Sequence, residues 1–248
     1  MIYIATHKSF SFNKEKDYCP IQVGAEGNND LFYLKDNIGD NISNKNKNFC
    51  ELTGVYWIWK NTSDDIKGLV HYRRYFSDSI FMKKISIEHV ERILNKYDVI
   101  LPFKRRISGN VIKNYEECGY ARDLYLTREI ILEKYPEYIE YFDEFMKDDR
   151  IRLFNMIIAK GNIFDEYSKW LFDILFELEK RVDLTGYDNY QQRIFGFISE
   201  RLLNVYFLKN KYKIFECGVI PTEIKWSFMK RIKTGMKRKI YSIYQMYL

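Results

Sequence analysis

The chain has 248 residues, a formal net charge of +6 and 46% apolar residues, enough for one sizeable hydrophobic core. Its four cysteines (Cys19, Cys50, Cys118, Cys217) form no Cys-x-x-Cys pair, which argues against a zinc ribbon or a thioredoxin-type site. No apolar run approaches the ~20 residues of a membrane-spanning helix, and the start MIYIATHK turns polar too soon for a secretory leader. A cytoplasmic protein with reduced thiols is expected.

In chain order, Ile2–Ala5 predicts a first strand ending at Thr6, His7 and Lys8, and Pro20–Val23 a short second one. Residues 24–48, rich in Gly, Asn and Asp, predict loop. Helical spacing runs from Phe49 to Asn61. Gly68–Tyr72 predicts a buried strand, Ile87–Lys96 a helix, and Asp98–Leu101 a strand closed by Pro102. Residues 104–119 predict loop. Ala121–Tyr135 and Glu137–Met146 predict two helices, with Pro136 opening the second. Leu153–Ala159 predicts a strand with Asn155 near its start. Asn162–Arg181 and Asn189–Phe207 predict amphipathic helices, and Tyr212–Glu216 a last strand. Strands alternating with helices predict an α/β fold with a mostly parallel sheet flanked by helices. The organisation is one domain, 1–223, followed by a basic amphipathic tail, 224–248.

The segment GLVHYRRYF (Gly68–Phe76) carries the strongest chemical signal. A strand ending in His71, Arg73 and Arg74 delivers cationic donors to the carboxyl edge of a sheet, where open α/β folds bind ligands. A guanidinium fork suits phosphate or carboxylate; ordinary surface charge is the alternative. Thr6, His7 and Lys8 end the first strand, either as nucleotide contacts or as a solvated strand end. Asn44 and Lys45 precede a helix, either as an anion site or as a plain cap. There is no GxGxxG and no GxxxxGK[ST].

For a catalytic carboxylate the candidates are Glu200, Asp123 and Asp188. Glu200 follows an apolar stretch and adjoins Arg201, so it is either a positioned base or half of a structural ion pair. Tyrosine (21) and phenylalanine (18) are abundant, as suits sugar ligands, although compositional bias produces the same excess.

Seven basic residues and no acid lie between Ile224 and the end of the chain, so the body is close to neutral and the tail carries the charge. Trp226, Phe228, Met229, Ile232, Met236, Ile240, Ile243, Tyr244 and Tyr247 interleave with them. Such a helix suits an anionic membrane interface, each basic group adding about 1 kcal/mol. Packing on the domain is the alternative. Nucleic acid is not the expected partner, because the body offers no matching basic surface.

The pieces IYIATHK (Ile2–Lys8), NISNKNKNFCELTGVYWIWKN (Asn41–Asn61), GLVHYRRYF, DVILP (Asp98–Pro102), FNMIIAKGNIFDEYSKWLFDILFELE (Phe154–Glu179) and RIFGFISERLLNVYF (Arg193–Phe207) together resemble a family of bacterial capsular and exopolysaccharide glycosyltransferases, catalogued largely as a domain of unknown function. The resemblance runs to about residue 222. It implies a GT-A-like, Rossmann-type sandwich that binds a nucleotide-sugar, with UDP-galactose, pyranose or furanose, as donor. It also implies a glycan acceptor; the basic tail, which lies outside the resemblance, is expected to hold the protein at the inner face of the cell membrane, where lipid-linked acceptors are found.

Typical GT-A enzymes hold a divalent metal such as manganese with Asp-x-Asp, a motif missing after any apolar strand here. On this resemblance Arg73, Arg74 and Lys45 neutralise the diphosphate with His71 in support, and no metal ligand is assigned. Thr6, His7 and Lys8 meet the nucleotide, Asn155 the donor sugar or acceptor, and Glu200 is the base with Asp123 and Asp188 in reserve. A non-catalytic nucleotide-sugar or glycan-binding subunit is the rival reading.

Overall fold

The computed structural model describes residues 1–12, 17–223 and 227–247. Lys225 and Trp226 of the basic tail, and the side chains of Phe228, Arg231, Arg238, Ile243, Tyr244 and Tyr247, lie outside what is described. The elements are β1 (Ile2–Thr6), β2 (Tyr18–Gln22), β3 (Leu34–Lys35), α1 (Asn46–Phe49), α2 (Leu52–Asn61), β4 (Ile66–His71), β5 (Arg74–Ser77), α3 (Ile87–Leu94), β6 (Val99–Pro102) and β7 (Arg105–Arg106). Then come α4 (Val111–Glu116), α5 (Ala121–Lys134), α6 (Ile139–Phe145), β8 (Arg150–Ile151), β9 (Ile157–Lys160), α7 (Gly161–Arg181), α8 (Ile194–Asn210), β10 (Ile214–Pro221) and α9 (Phe228–Tyr247).

The main sheet runs β3-β2-β1-β4-β5-β10-β6-β9, and β9 also pairs with β4, so its last five strands close on themselves. The expectation of a mostly parallel sheet is corrected. Among the described residues four pairings are parallel (β1–β2, β1–β4, β2–β3, β6–β10) and four antiparallel (β4–β5, β5–β10, β4–β9, β6–β9). Two connections cause this. The chain reverses at Tyr72–Arg73, a two-residue turn that only antiparallel strands permit, and β9 enters after the helical excursion α4–α6, running against both its neighbours.

The sheet is buried on both faces, which is why its strands are nearly continuous apolar runs. Along β1, Ile2 and Ile4 join one core cluster with Val70, Ile100, Ile158, Phe215 and α3. Tyr3 and Ala5 join the other with Leu69, Val99, Ile157, α2, α5, α7 and α8. The result is a layered mixed α/β domain.

Three further segments differ from expectation. The helix predicted over Phe49–Asn61 breaks at Cys50, whose φ is 53°. The predicted loop 104–119 contains β7 and α4, the helix capped by Asn110 accepting from Lys113 N at 3.0 Å; six residues are too few for periodicity to reveal it. The strand predicted from Leu153 starts at Ile157, because Phe154 and Asn155 both take positive φ (84° and 51°).

Candidate functional site

β1 and β4 run parallel with Ala5 opposite His71, so their carboxyl ends open side by side. Tyr72 N donates to Ala5 O at 3.1 Å, binding the two ends together. The turn then sets Arg74 across from His71. A cleft of about 650 Å³ opens here, bounded by the β1 and β4 ends, by Cys50 and Glu51, by Phe154, and by Tyr190, Arg193 and Glu200 at the start of α8.

Three arginines, Arg73, Arg74 and Arg193, line the cleft. The Arg74 guanidinium lies 4.3 Å from the centroid of the Phe154 ring and, among the described residues, makes no hydrogen bond or ion pair. Burial first, then Arg73 and Arg105, push its pKa down. Arg73 is weakly held, 3.9 Å from Glu223, and its Nε is buried without a partner. Arg193 donates through Nε to Cys50 Sγ at 3.3 Å. Arg74 is a half-buried guanidinium beside others of like charge, with Glu51 and Glu200 near but neither in a direct ion pair with it among the described residues; such a fork suits a bound anion.

The cleft also carries two carboxylates, Glu51 and Glu200. Glu200 Oε1 accepts from Phe154 N at 2.6 Å and Oε2 from Arg201 at 3.1 Å. Arg201 is itself fixed by Phe197 O (3.0 Å) and Asn114 Oδ1 (2.8 Å). Burial pushes the Glu200 carboxyl up to about 7, outweighing the opposing pull of Arg201 and the Phe154 amide. Glu200 is thus ion-paired with Arg201 and also lines the cleft. Glu51 Oε1 accepts from Asn155 Nδ2 at 2.8 Å.

Phe154 and Asn155 tie these groups together. Phe154 O accepts from His71 at 2.7 Å, which puts the proton on Nε2 because a carbonyl only accepts. Burial lowers the His71 pKa, with Glu51 opposing, and so favours the neutral ring. Asn155 donates to Gly196 O (3.0 Å) as well as to Glu51, and accepts from Ser199 Oγ (2.8 Å). Positive φ at a phenylalanine is costly backbone, and such strain persists where packing over-determines it, typically at functional sites.

Of the predicted residues, the structure gathers His7, His71, Arg73, Arg74 and Glu200 around the cleft. His7 packs edge-on to Tyr72, and burial, then Arg73 and Lys8, lower its pKa. Asn155 stands behind the wall rather than at a strand start. The others lie elsewhere. Thr6 Oγ1 donates to Lys8 O (2.6 Å) and accepts from Lys8 N (3.3 Å), closing the strand end on itself. Lys8 lies over the Tyr72 ring and borders a neighbouring groove of about 440 Å³.

Asn44 is exposed and outside the lining. Lys45 is drawn to Glu179 of α7 (2.5 Å), so it is not aimed at the cleft. Asp188 is exposed and accepts from the amides of Tyr190 and Gln191 (both 2.7 Å).

Asp123 is buried and outside the lining, bonded by the Tyr115 hydroxyl (2.9 Å), the Tyr187 hydroxyl (2.5 Å) and Tyr120 N (3.3 Å). Asp123→Ala leaves two buried hydroxyls, those of Tyr115 and Tyr187, and the part-buried Tyr120 amide without their acceptor. Denaturant unfolding should show a loss of about 3 kcal/mol, with the activity of the folded fraction unchanged.

Glu51, Arg193, Cys50 and Tyr190 were not among the candidates. Nothing in the sequence marks the positive φ of Cys50 that turns Glu51 inward. The presence of Arg193 in RIFGFISE was the available signal for a second cationic wall. Among the described residues no group of three or more His, Cys, Asp or Glu stands together as a metal ligand set.

An α/β domain with an arginine-lined cleft at the carboxyl edge of its sheet, holding a deeply set carboxylate, is the class of protein the geometry defines. The chain belongs to the family described as Domain of unknown function (DUF4422), whose model matches residues 1–211. It is similar, at 31% identity and a TM-score of 0.83, to a solved structure described as the apo form of the bifunctional glycosyltransferase WbbM, over 90% of this chain and 45% of that one. The chain thus spans under half the length of that protein. No curated protein matches it.

Proposed function

We propose that the protein transfers a hexose, galactose in pyranose or furanose form, from a UDP-sugar to a glycan acceptor, lipid-linked, in capsule or exopolysaccharide synthesis, on a GT-A type of fold. The observation that carries this is one cleft that holds Arg74, unpaired among the described residues, with Arg73 and Arg193, together with a carboxyl group poised near neutrality. The similarity to a bifunctional glycosyltransferase supports it.

Guanidinium forks stabilise the charge that builds on the departing diphosphate. Glu200 takes the proton from the attacking acceptor hydroxyl, giving inversion at the sugar. Arg201 and the Phe154 amide hold the carboxylate in place, and neutral His71 offers Nδ1 as an acceptor. His7 and the β1 end meet the nucleotide. In this reading Arg73, Arg74 and Arg193 supply the countercharge to the diphosphate. The basic helix α9 holds the protein against an anionic membrane, where lipid-linked acceptors lie; among the described residues no helix is long and apolar enough to cross one.

A thermal-shift series of nucleotide-sugars, with and without manganese, tests the donor. The expected result is stabilisation by UDP-hexoses independent of manganese, with UDP released on adding glycan acceptor. Binding without turnover would instead support a non-catalytic glycan-binding subunit.

A further inference from the structure

Among the described residues, helix α9 meets the domain through Gly235 and Lys239 and lies beside β10. Gly235 lies against the backbone of Ile80, so tightly that a Cβ there would overlap the Ile80 carbonyl. One turn on, Lys239 Nζ pairs with Asp78 Oδ2 at 3.1 Å, the oxygen that His89 Nε2 also approaches at 3.1 Å. At 100° per residue, Gly235 and Lys239 share a side.

Met229, Met236 and Ile240, at i, i+7 and i+11, fall on a different line and remain 74%, 50% and 65% exposed. Docking on the domain therefore leaves an apolar stripe uncovered. Exposed Lys233 and Lys237 stand one step round from it, four and eight residues after Met229. Beside the docked face, the loop after β5 exposes Phe81 (55%) and Ile80 (38%), followed by exposed Lys83, with Met82 turning the chain at φ 52°.

We infer that the Ile80–Phe81 loop and the Met229–Met236–Ile240 stripe of α9 form one composite surface that inserts into an anionic lipid bilayer; this rests on the membrane reading above and extends it to a second element. Charge complementarity selects the partner. Apolar side chains flanked by lysines, in a segment with no acid after Glu223, match the acyl boundary and headgroups of anionic lipid. Two elements locked by Gly235 and Lys239 fix the orientation of the domain, which one helix alone leaves free to roll.

The orientation bears on catalysis. β5 runs from the cleft turn toward this surface, so Asp78, just past its end, lies about 13 Å from Arg74 along the chain. The cleft then lies within reach of the sugar of a lipid-linked acceptor.

The test is co-sedimentation of the full chain with phosphatidylcholine vesicles, with and without 30% phosphatidylglycerol, about that fraction being enough to charge the surface. Three proteins are compared: the parent, Ile80→Ser/Phe81→Ser, and Met229→Ser/Met236→Ser/Ile240→Ser. The expected result is binding of the parent to anionic vesicles alone, at least tenfold weaker binding for each variant, and unchanged melting temperatures, since every altered side chain is solvent-exposed. Parent-like binding by the loop variant, with loss in the stripe variant, overturns the composite surface and leaves the helix reading standing. Failure of the parent to bind overturns both. Self-association that the loop variant abolishes, without vesicle binding, assigns the patch to a second copy of the chain and likewise overturns the inference.

Discussion

Glu200→Gln is expected to lower sugar transfer by about 10²–10⁴, the range for a lost general base, without lowering the melting temperature at pH 8. The sign follows from the raised pKa. A carboxyl whose pKa is about 7 when folded and ordinary when unfolded favours folding in its protonated form. That contribution is fully present below the usual glutamate range and is lost as pH rises to about 7; above it, burying the ionised group opposes folding. The substituted glutamine carries no charge, so it escapes this penalty at pH 8, and its carbonyl can still accept from Phe154 N. Its amide meets Arg201 less well, which offsets part of the gain.

In the parent, kcat/KM should climb through pH 7 as Glu200 ionises, and this limb should vanish in the variant. Activity that persists with an unchanged pH profile would place the base elsewhere. Glu51 is then the next carboxylate to test, because it faces the same cleft.

Arg74→Ala is the second large effect. Loss of one fixed donor to a developing charge lowers kcat by about 10²–10³, and UDP affinity should weaken in calorimetry. Stability should hold or rise slightly at low salt. The guanidinium makes no hydrogen bond or ion pair among the described residues and sits among like charges from Arg73 and Arg105. What it gives up is the stacking on Phe154, about 0.5–1 kcal/mol at a partly exposed site. Arg74→Lys should recover only part of the activity, because a point charge cannot grip two phosphate oxygens at once. A fall in activity that merely tracks a fall in melting temperature would make Arg74 a structural residue.

Much of the site was legible because it is local. An apolar strand that ends in HYRR places cations at a sheet edge wherever that strand lies, and β1 with its polar end does the same for His7. Glu200 stood out because a carboxylate beside an arginine after an apolar run must be either paired or functional. Lys45 shows the limit: its charge and position before a helix were visible, but its attachment to Glu179, 134 positions away, was not. Asp123 and Asp188 fail similarly. Both are carboxylates absorbed by turns and hydroxyls brought to them by the fold.

The amino-acid order by itself determined the layered α/β class, most elements, the basic tail and the cationic strand end, because periodicity and strand termini are properties of a few consecutive residues. Only the tertiary structure decided the mixed sheet, the cleft and its wall of Glu51, Arg193 and Glu200. These depend on contacts between residues 46 and 104 positions apart, such as Phe154 with Glu200 and Asn155 with Glu51. They also depend on left-handed backbone at Cys50, Phe154 and Asn155, which no local preference favours and which packing alone can impose.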